Sequence, residues 1–320
     1  MADLVRVGAI DCGTNSIRLL VADIDRATGA LTDVLRRMEV VRLGYGVDRT
    51  GRIDPEAMAR TVAMASEYAA QCSALDVGPV RFVATSASRD AGNAADFVAG
   101  VKDAFAEFGA APEVVSGREE ALLSFRGATG DVRAAGIDGP YLVVDLGGGS
   151  TELVRGTESV EAAQSVDIGC VRMTERHLHS DPPTAAEIEA ATADIEAAVA
   201  SALTEVSATG IRTLVGLAGS VTTVTAQAWS LPTYDARRIH LAVTPVVRMR
   251  AAARELLGMT RARRSLLPFM HPGRVDVIGA GALIWDVVIR EVAAASGLGN
   301  ELTVVSSEHD ILDGIALGLA

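Results

Sequence analysis

One nine-residue pattern, present twice, constrains this chain more than any other feature. It reads DCGTNSIRL at 11–19 and DLGGGSTEL at 145–153. Asp11, Gly13, Ser16 and Leu19 match Asp145, Gly147, Ser150 and Leu153 at the same spacing, and an apolar run precedes each copy. In the second copy Leu142, Val143 and Val144 form a short β-forming run, and Leu153 and Val154 restart one. Glycines between the two runs let backbone approach a ligand closely, because no Cβ intervenes. Successive N–H groups at such a tip make an anion cradle, and the carboxylates at its edges, Asp145 and Glu152, suit a hard divalent cation. Read alone, this is also what an ordinary glycine-rich hairpin looks like. The echo near the N-terminus points instead to two similar domains, each presenting one phosphate-binding hairpin to a shared cleft. Two distant copies do not make a solenoid.

At 320 residues, 49% of them hydrophobic, the chain is long enough for two buried cores. It lacks an apolar run of about 18 residues or more, so no membrane span is expected. The start, MADLVRVGAID, reads as entry into a strand without a signal-peptide core. Three cysteines, Cys12, Cys72 and Cys170, are an odd count without metal spacing, which predicts a reducing, cytoplasmic setting. A net charge of −12 argues against nucleic acid as a partner. The charge is uneven, however. Nine arginines between Arg237 and Arg274 face one acid, Glu255. That basic stretch is either a guide for a polyanion or a set of solvated helix faces. Lys102 is the sole lysine, so compositional bias contributes too.

Patterning predicts strands at 5–10, 17–24, 31–40 and 80–84, with a helix after the Asp54-Pro55 start and another after Asn93. A strand at 113–115 and a helix at 119–125 follow, then the central hairpin, a strand near 160–168 and a long helix from Thr184. Residues 212–217 read as a buried strand leading into a second anion-binding turn at Ala218–Thr223. Helices at 248–257 and 275–288, a strand at 302–305 and a helix at 311–319 complete an α/β chain. The expected domains are 1–124 and 125–320, with the terminal helix, about 308–320, able to pack back on the first.

The segments 11–21, 142–154, 214–223 and 277–285 resemble the acetate kinase/sugar kinase/Hsp70/actin superfamily. That resemblance implies two ribonuclease-H-like domains closing over a phosphorylated ligand. ATSASR at 84–89 and SGREEA at 116–121, with DLGGGSTEL, resemble the exopolyphosphatase/guanosine pentaphosphate phosphohydrolase family in its short, two-domain form. Leu122, where the family often has arginine, and EHDILDG at 308–314 depart from it.

The resemblance implies in-line attack by water on a terminal phosphoanhydride of inorganic polyphosphate, or of guanosine pentaphosphate. It makes Glu120 the general base and leaves Glu119 as the alternative, since adjacent helical residues point about 100° apart. Arg89 is expected to clamp the terminal phosphate. Gly13, Thr14, Asn15 and Ser16, with Gly147, Gly148, Gly149 and Ser150, are expected to cradle phosphates, and Gly219 and Ser220 to bind further along the chain. Arg172 and Arg274 lie in family-like contexts for phosphate contact. Asp145 and Glu152, with Asp11 completing the shell, are expected to hold Mg²⁺, with Mn²⁺ a substitute, directly or through water. Cys12 follows a buried strand and reads as packing. The five histidines show no metal spacing. A homodimer and an alarmone inhibitor are further family expectations. Small-molecule kinases of the same superfamily and non-enzymatic nucleotide sensors are the competing classes, because fold alone does not set function.

Overall fold

The computed structural model describes residues 3–320, so Met1 and Ala2 lie outside it. In chain order the elements begin with β1 (Leu4–Cys12), β2 (Ser16–Asp25), β3 (Leu31–Val40), α1 (Val47–Thr50), α2 (Pro55–Ala74), β4 (Val80–Ala84), α3 (Ser86–Asp90), α4 (Ala94–Ala104), β5 (Pro112–Val114) and α5 (Gly117–Ala134). They continue with β6 (Tyr141–Leu146), β7 (Thr151–Gly156), β8 (Val160–Val166), α6 (Cys170–His177), α7 (Ala185–Glu205), β9 (Thr213–Leu217) and α8 (Ala218–Ala228). The last are α9 (Ala236–Ile239), β10 (Ala242–Val243), α10 (Val246–Gly258), α11 (Arg261–Ser265), α12 (Ile278–Ser296), β11 (Thr303–Ser306) and α13 (Ile311–Leu317). Two compact units result, residues 3–127 with 311–320, and residues 128–310.

The sheet of the first unit runs β3-β2-β1-β4-β5, and that of the second runs β10-β11-β9-β6-β7-β8. Read from its other edge, the second has the order of the first with one added strand, β10. In both, a three-strand antiparallel meander is joined to parallel strands. This is the ribonuclease-H-like α/β layer expected from the sequence.

The first unit buries both faces of its sheet, which is why β1 and β2 are almost uninterrupted apolar runs. Ile10, Cys12, Ile17, Leu19 and Val21 pack toward Tyr68, Phe97 and Phe105 of the α2–α4 side. Val7, Ala9, Leu20, Ala22 and Ile24 pack on the opposite face with Leu123 of α5 and Ile311, Leu312 and Ile315 of α13. Period-two alternation therefore also puts Asp11 and Arg18, which are cross-strand partners, on the face covered by α5. Close approach secures α13: a Cβ on Gly314 would lie 1.9 Å from the Leu123 carbonyl oxygen. Buried Asp313 completes this attachment by pairing with Arg36 of β3 at 2.5 Å.

In the second unit, Leu142, Val144, Leu146 and Leu153 share one core with α7, α8, α10 and the apolar helix α12. Trp285 of α12 is fully buried, and its ring fills the space where a Cβ on Gly216 of β9 would stand, 2.6 Å away. Small size at 216 thus lets helix and sheet meet. Among the described residues, no helix is long and apolar enough to cross a membrane.

Most boundaries fall within two residues of those read from the sequence. Two differ in kind. The segment Ala218–Thr223 is not a turn but the first half of α8, entered through Ala218 at φ 66°. The helix expected at 119–125 extends over Gly117–Ala134. Its later turns carry glycines and charges that blur an apolar stripe, yet Ala128, Thr129 and Val132 are buried.

The start of α7 has a full capping box. Thr184 Oγ1 accepts from the Glu187 N–H, and the Glu187 carboxylate accepts from the Thr184 N–H at 2.7 Å. Backbone hydrogen bonds from Thr184 and Ser180 pull the Glu187 carboxyl down from 4.5 to about 2. A lowered folded-state value means that this cap contributes fully above about pH 4.5 and is lost as pH falls toward 2. Carboxyl-selective NMR titration is expected to give Glu187 a midpoint near 2, well below its other exposed glutamates. A midpoint near 4.5 would show that the box does not form in solution.

Candidate active site

The two hairpins close in the same way. Gly13 N–H donates to the Ser16 carbonyl at 2.9 Å, and Gly147 N–H donates to the Ser150 carbonyl at 3.0 Å. Behind each tip, neighbouring backbone captures the loop carbonyls. In the first unit, Val41 and Arg42 N–H both donate to Asn15 O, and Gly44 N–H donates to Thr14 O. In the second, Cys170 N–H donates to Gly147 O, while Val171 and Arg172 N–H donate to Gly148 O. Among the described residues, no backbone carbonyl accepts from the N–H groups of Thr14 and Asn15 or of Gly148 and Gly149. With carbonyls held from one side, these amides are the groups left for an anion.

Each loop has its own support. Thr14 Oγ1 and Ser86 Oγ share a 2.8 Å hydrogen bond, tying the first loop to α3. Thr151 Oγ1 donates to Ile168 O at 2.6 Å, fixing the far end of the second. Arg172, expected to touch phosphate, is buried, and its Nε donates to Gly149 O at 2.6 Å. Its first observable duty is therefore to brace the glycine loop. Gly169 permits that arrangement, because a Cβ there would stand 2.4 Å from Gly148 C and O.

The carboxylates of the two hairpins differ in partner. Asp11 is buried opposite Arg18, whose Nη2 donates to its Oδ2 at 2.6 Å. Asp145 is buried opposite Glu152, which is fully buried and accepts from Ser165 Oγ at 2.7 Å. Like charges opposite one another on a strand pair are destabilising, so the second hairpin is the one that a cation would relieve.

On α5, Glu119 and Glu120 separate as helical geometry requires. Glu119 is half-exposed and pairs with Arg81 at 2.8 Å. Glu120 is buried, and its Oε2 accepts from Arg89 Nη1 at 2.9 Å. The same Nη1 donates to Val115 O at 3.0 Å, so the guanidinium is fixed at the end of α3. Glu120 and Arg89, far apart in sequence, thus form one pair, with the carboxylate buried and the guanidinium partly exposed. Leu122 is 40% exposed on the same helix, away from that pair.

Gly219 and Ser220 occupy the first turn of α8 rather than a loop. A Cβ on Gly219 would lie 2.3 Å from the Arg274 guanidinium carbon, and one on Gly281 would lie 2.2 Å from Ser220 Oγ. Arg274 Nη1 also donates to Thr223 Oγ1 at 3.3 Å. Burial pushes the Cys170 thiol up to about 11, with Ser220 and Arg274 acting in the opposite direction. Arg274, Ser220 and Cys170 are therefore neighbours, and the second unit gathers Gly147–Ser150, α6, the start of α8 and Arg274 into one region. Cys12 is also held as a neutral thiol, its value raised first by burial and then by Asp11.

Sequence spacing concealed one cluster. Asp131, His240 and His309 have ligand atoms within 4.8 Å of one another. His309 Nδ1 lies 2.5 Å from Asp131 Oδ2, and His240 Nε2 lies 3.5 Å from the same oxygen. The Glu308 N–H donates to His240 Nδ1, which places the proton of the neutral ring on Nε2, facing the carboxylate. This is a hydrogen-bonded triad between α5 and the segment before α13. Separations of more than 60 residues gave no signal for it.

The basic stretch proves largely structural. Arg248 donates to Ala228 O and lies over Trp229, and Arg250 and Arg254 pair with Asp286. Buried Arg264 caps the Leu256, Leu257 and Val275 carbonyls.

A family model described as the Ppx/GppA phosphatase family matches residues 20–314. An exopolyphosphatase 2 from Mycobacterium tuberculosis is 51% identical over 321 residues, covering 99% of both chains. A guanosine-5'-triphosphate,3'-diphosphate pyrophosphatase from Vibrio cholerae is 32% identical over 215 residues, 67% of this chain and 41% of its own. The crystal structure of an exopolyphosphatase-like protein superposes with a TM-score of 0.92 at 42% identity, covering 99% of this chain and 98% of that one.

The two loops make opposite predictions for added methyl groups. Gly169→Ala drives a Cβ into the Gly148 carbonyl and is expected to cost about 1–3 kcal/mol and most of the phosphate affinity. Gly13→Ala meets nothing closer than 3.7 Å and is expected to keep the fold. Thermal unfolding and phosphate binding measured on both variants check the pair.

Proposed function

The chain belongs to the Ppx/GppA phosphatase family, and on that premise we propose that it is an exopolyphosphatase, hydrolysing terminal phosphoanhydride bonds of inorganic polyphosphate to release orthophosphate. As a member of that family it is a phosphoanhydride hydrolase. The observation that carries the reading is the pairing of buried Glu120 with Arg89. Phosphoryl transfer asks a protein for positioning, charge neutralisation and an oriented nucleophile, and little covalent chemistry. Both cysteines beside the loops are held as neutral thiols, so water is the better nucleophile.

In this reading Glu120 accepts a proton from water as the water oxygen attacks the terminal phosphorus. The bridging P–O bond breaks, and its electron pair leaves with the shortened chain. Arg89 holds the Glu120 carboxylate in one rotamer and presents positive charge to the transferring group. The amides of Thr14, Asn15, Gly148 and Gly149 offer fixed dipoles to phosphate oxygens, with Gly13, Ser16, Gly147 and Ser150 setting the turns that aim them. Ser220 and Arg274 supply a hydroxyl and a charge to phosphates further along.

Asp145 and Glu152 fit a hard divalent cation, being buried oxygen donors set directly opposite one another. Magnesium, or manganese in its place, would supply charge neutralisation at the phosphate oxygens. Asp11 differs from that pair, because Arg18 already compensates its charge.

The Vibrio relative favours a second reading in which the substrate is guanosine pentaphosphate. Its alignment spans less of this chain than the exopolyphosphatase does. Phosphate release from short and long polyphosphate, guanosine pentaphosphate and ATP, each with magnesium, separates the two. Glu120→Gln is expected to lower kcat by about 10²–10⁴-fold while polyphosphate still binds, and Glu119→Gln to remain near the parent. Near-normal turnover by the Glu120 variant would overturn the assignment.

A further inference from the structure

A basic cavity whose lining includes neither Glu120 nor Arg89 lies within the first unit. The segment after β3 encloses a pocket of about 640 Å³, lined by Arg42, Tyr45, Arg49, Arg52, Arg60 and Asn93. That volume is in the range of small-molecule sites, about 300–1,000 Å³. Its walls are built rather than incidental. Arg42 takes a left-handed backbone at φ 53°, and Gly46 and Gly51 do so at 72° and 66°. Arg60 is spent on the frame, donating through Nε and Nη2 to Val41 O. Asn93 clamps the other wall by exchanging two hydrogen bonds with the Ile53 backbone.

Among the described residues, neither Arg49 nor Arg52 forms a salt bridge, in contrast to Arg6, Arg36, Arg81, Arg155, Arg250 and Arg290. Two carboxylates share the lining, Asp54 and Glu56. Asp54 is committed to the α2 N-cap, accepting from the Glu56 and Ala57 N–H groups. On a chain of net charge −12, a walled cavity holding free guanidinium groups is a local exception. Planar guanidinium forks match phosphate oxygens, and several of them spread over a cavity of this size suit an anion carrying phosphates along its length.

We propose that this pocket binds an oligophosphate anion, separately from the catalytic residues. The segment that forms it also supports the candidate site. Its Val41, Arg42 and Gly44 N–H groups hold the Thr14–Asn15 carbonyls, and its Gly51 carbonyl accepts from Gly92, three residues beyond Arg89. An anion seated here would therefore stiffen the frame behind the first phosphate loop. The phosphates could come from a distal stretch of the polyphosphate substrate, in which case the inference rests on the function proposed above, or from a guanosine polyphosphate acting as effector.

Calorimetric titration of the full chain tests the site without needing turnover. In a Glu120→Gln background, tripolyphosphate is expected to bind at two sites, and adding Arg49→Ala with Arg52→Ala is expected to remove one. Replacing Arg237 and Arg238 with alanine makes the same change in net charge on exposed helix α9 and is expected to leave both sites. Equal stoichiometry and affinity in the Arg49/Arg52 variant, or equal losses in the two double variants, would overturn the proposal. With catalytic Glu120 restored, a rise of fivefold or more in KM for long chains at unchanged kcat on tripolyphosphate assigns the pocket to substrate. Lost guanosine tetraphosphate binding with unchanged KM assigns it to an effector. Loss of a binding site in a protein that hydrolyses no polyphosphate would uphold the pocket and reject the enzymatic reading alone.

Discussion

The proposed phosphate binding depends on where the carbonyls of two glycine-bearing turns are held. An amide cradle works only if the carbonyl oxygens between its N–H groups point elsewhere, because a carbonyl facing the anion cancels the field of its neighbours. Here the oxygens of Thr14 and Asn15 are engaged by the strand that leaves β3, and those of Gly147 and Gly148 by the first amides of α6. The N-terminus of α6 is thereby used as a brace, its donors satisfied by the loop. This explains residues that a ligand-centred view would leave idle. Gly44 is small because Thr14 occupies its Cβ position, with a methyl carbon 2.4 Å away, and Gly169 is small because Gly148 does so. Both lie outside the repeated pattern, yet without them neither turn could be supported at this distance.

The hairpins and most helix starts were legible because each rests on a local rule. Asp54-Pro55 and the Thr184/Glu187 box state their helix starts outright, and a period of two in β1 and β2 assigns side chains to both faces of a buried sheet. The choice of Glu120 over Glu119 was open from sequence alone, since both begin the same helix. Burial separates them, and burial comes from α5 lying over the β1–β2 face, which is tertiary information. Ala218 was misread for a related reason. Its glycine and hydroxyl neighbours resemble a turn, but packing against Trp285 and Arg274 continues the chain as α8 after one left-handed residue. The Asp131–His240–His309 triad had no local rule at all.

Arginine usage shows the same divide. Nine arginines in one stretch read as either a polyanion guide or a set of solvated helix faces, whereas most of those with visible partners bind carbonyls or Asp286. In a chain with one lysine, arginine performs structural work that other proteins divide between two residue types, since its planar fork can cap several carbonyls at once. Positive charge along the sequence is therefore a poor guide here. What distinguishes Arg49 and Arg52 is that, among the described residues, neither has a salt-bridge partner in a walled cavity.

The two hairpins share backbone, closing bond and leading aspartate, and differ decisively at one cross-strand position. Arg18 stands opposite Asp11, whereas Glu152 stands opposite Asp145. An arginine there neutralises the aspartate and leaves a turn whose contribution is its amides alone. A glutamate there doubles the negative charge in a buried setting, which is tolerable where a cation or other donors offset it, and Ser165 supplies one such donor. The same supersecondary unit thus carries an arginine-paired aspartate in one half and two facing carboxylates in the other. If the pair were exchanged, the first loop would acquire the electrostatic demand now carried by the second, with no change of fold. The division of labour between the halves is written in side-chain charge at one position, on a backbone that both share.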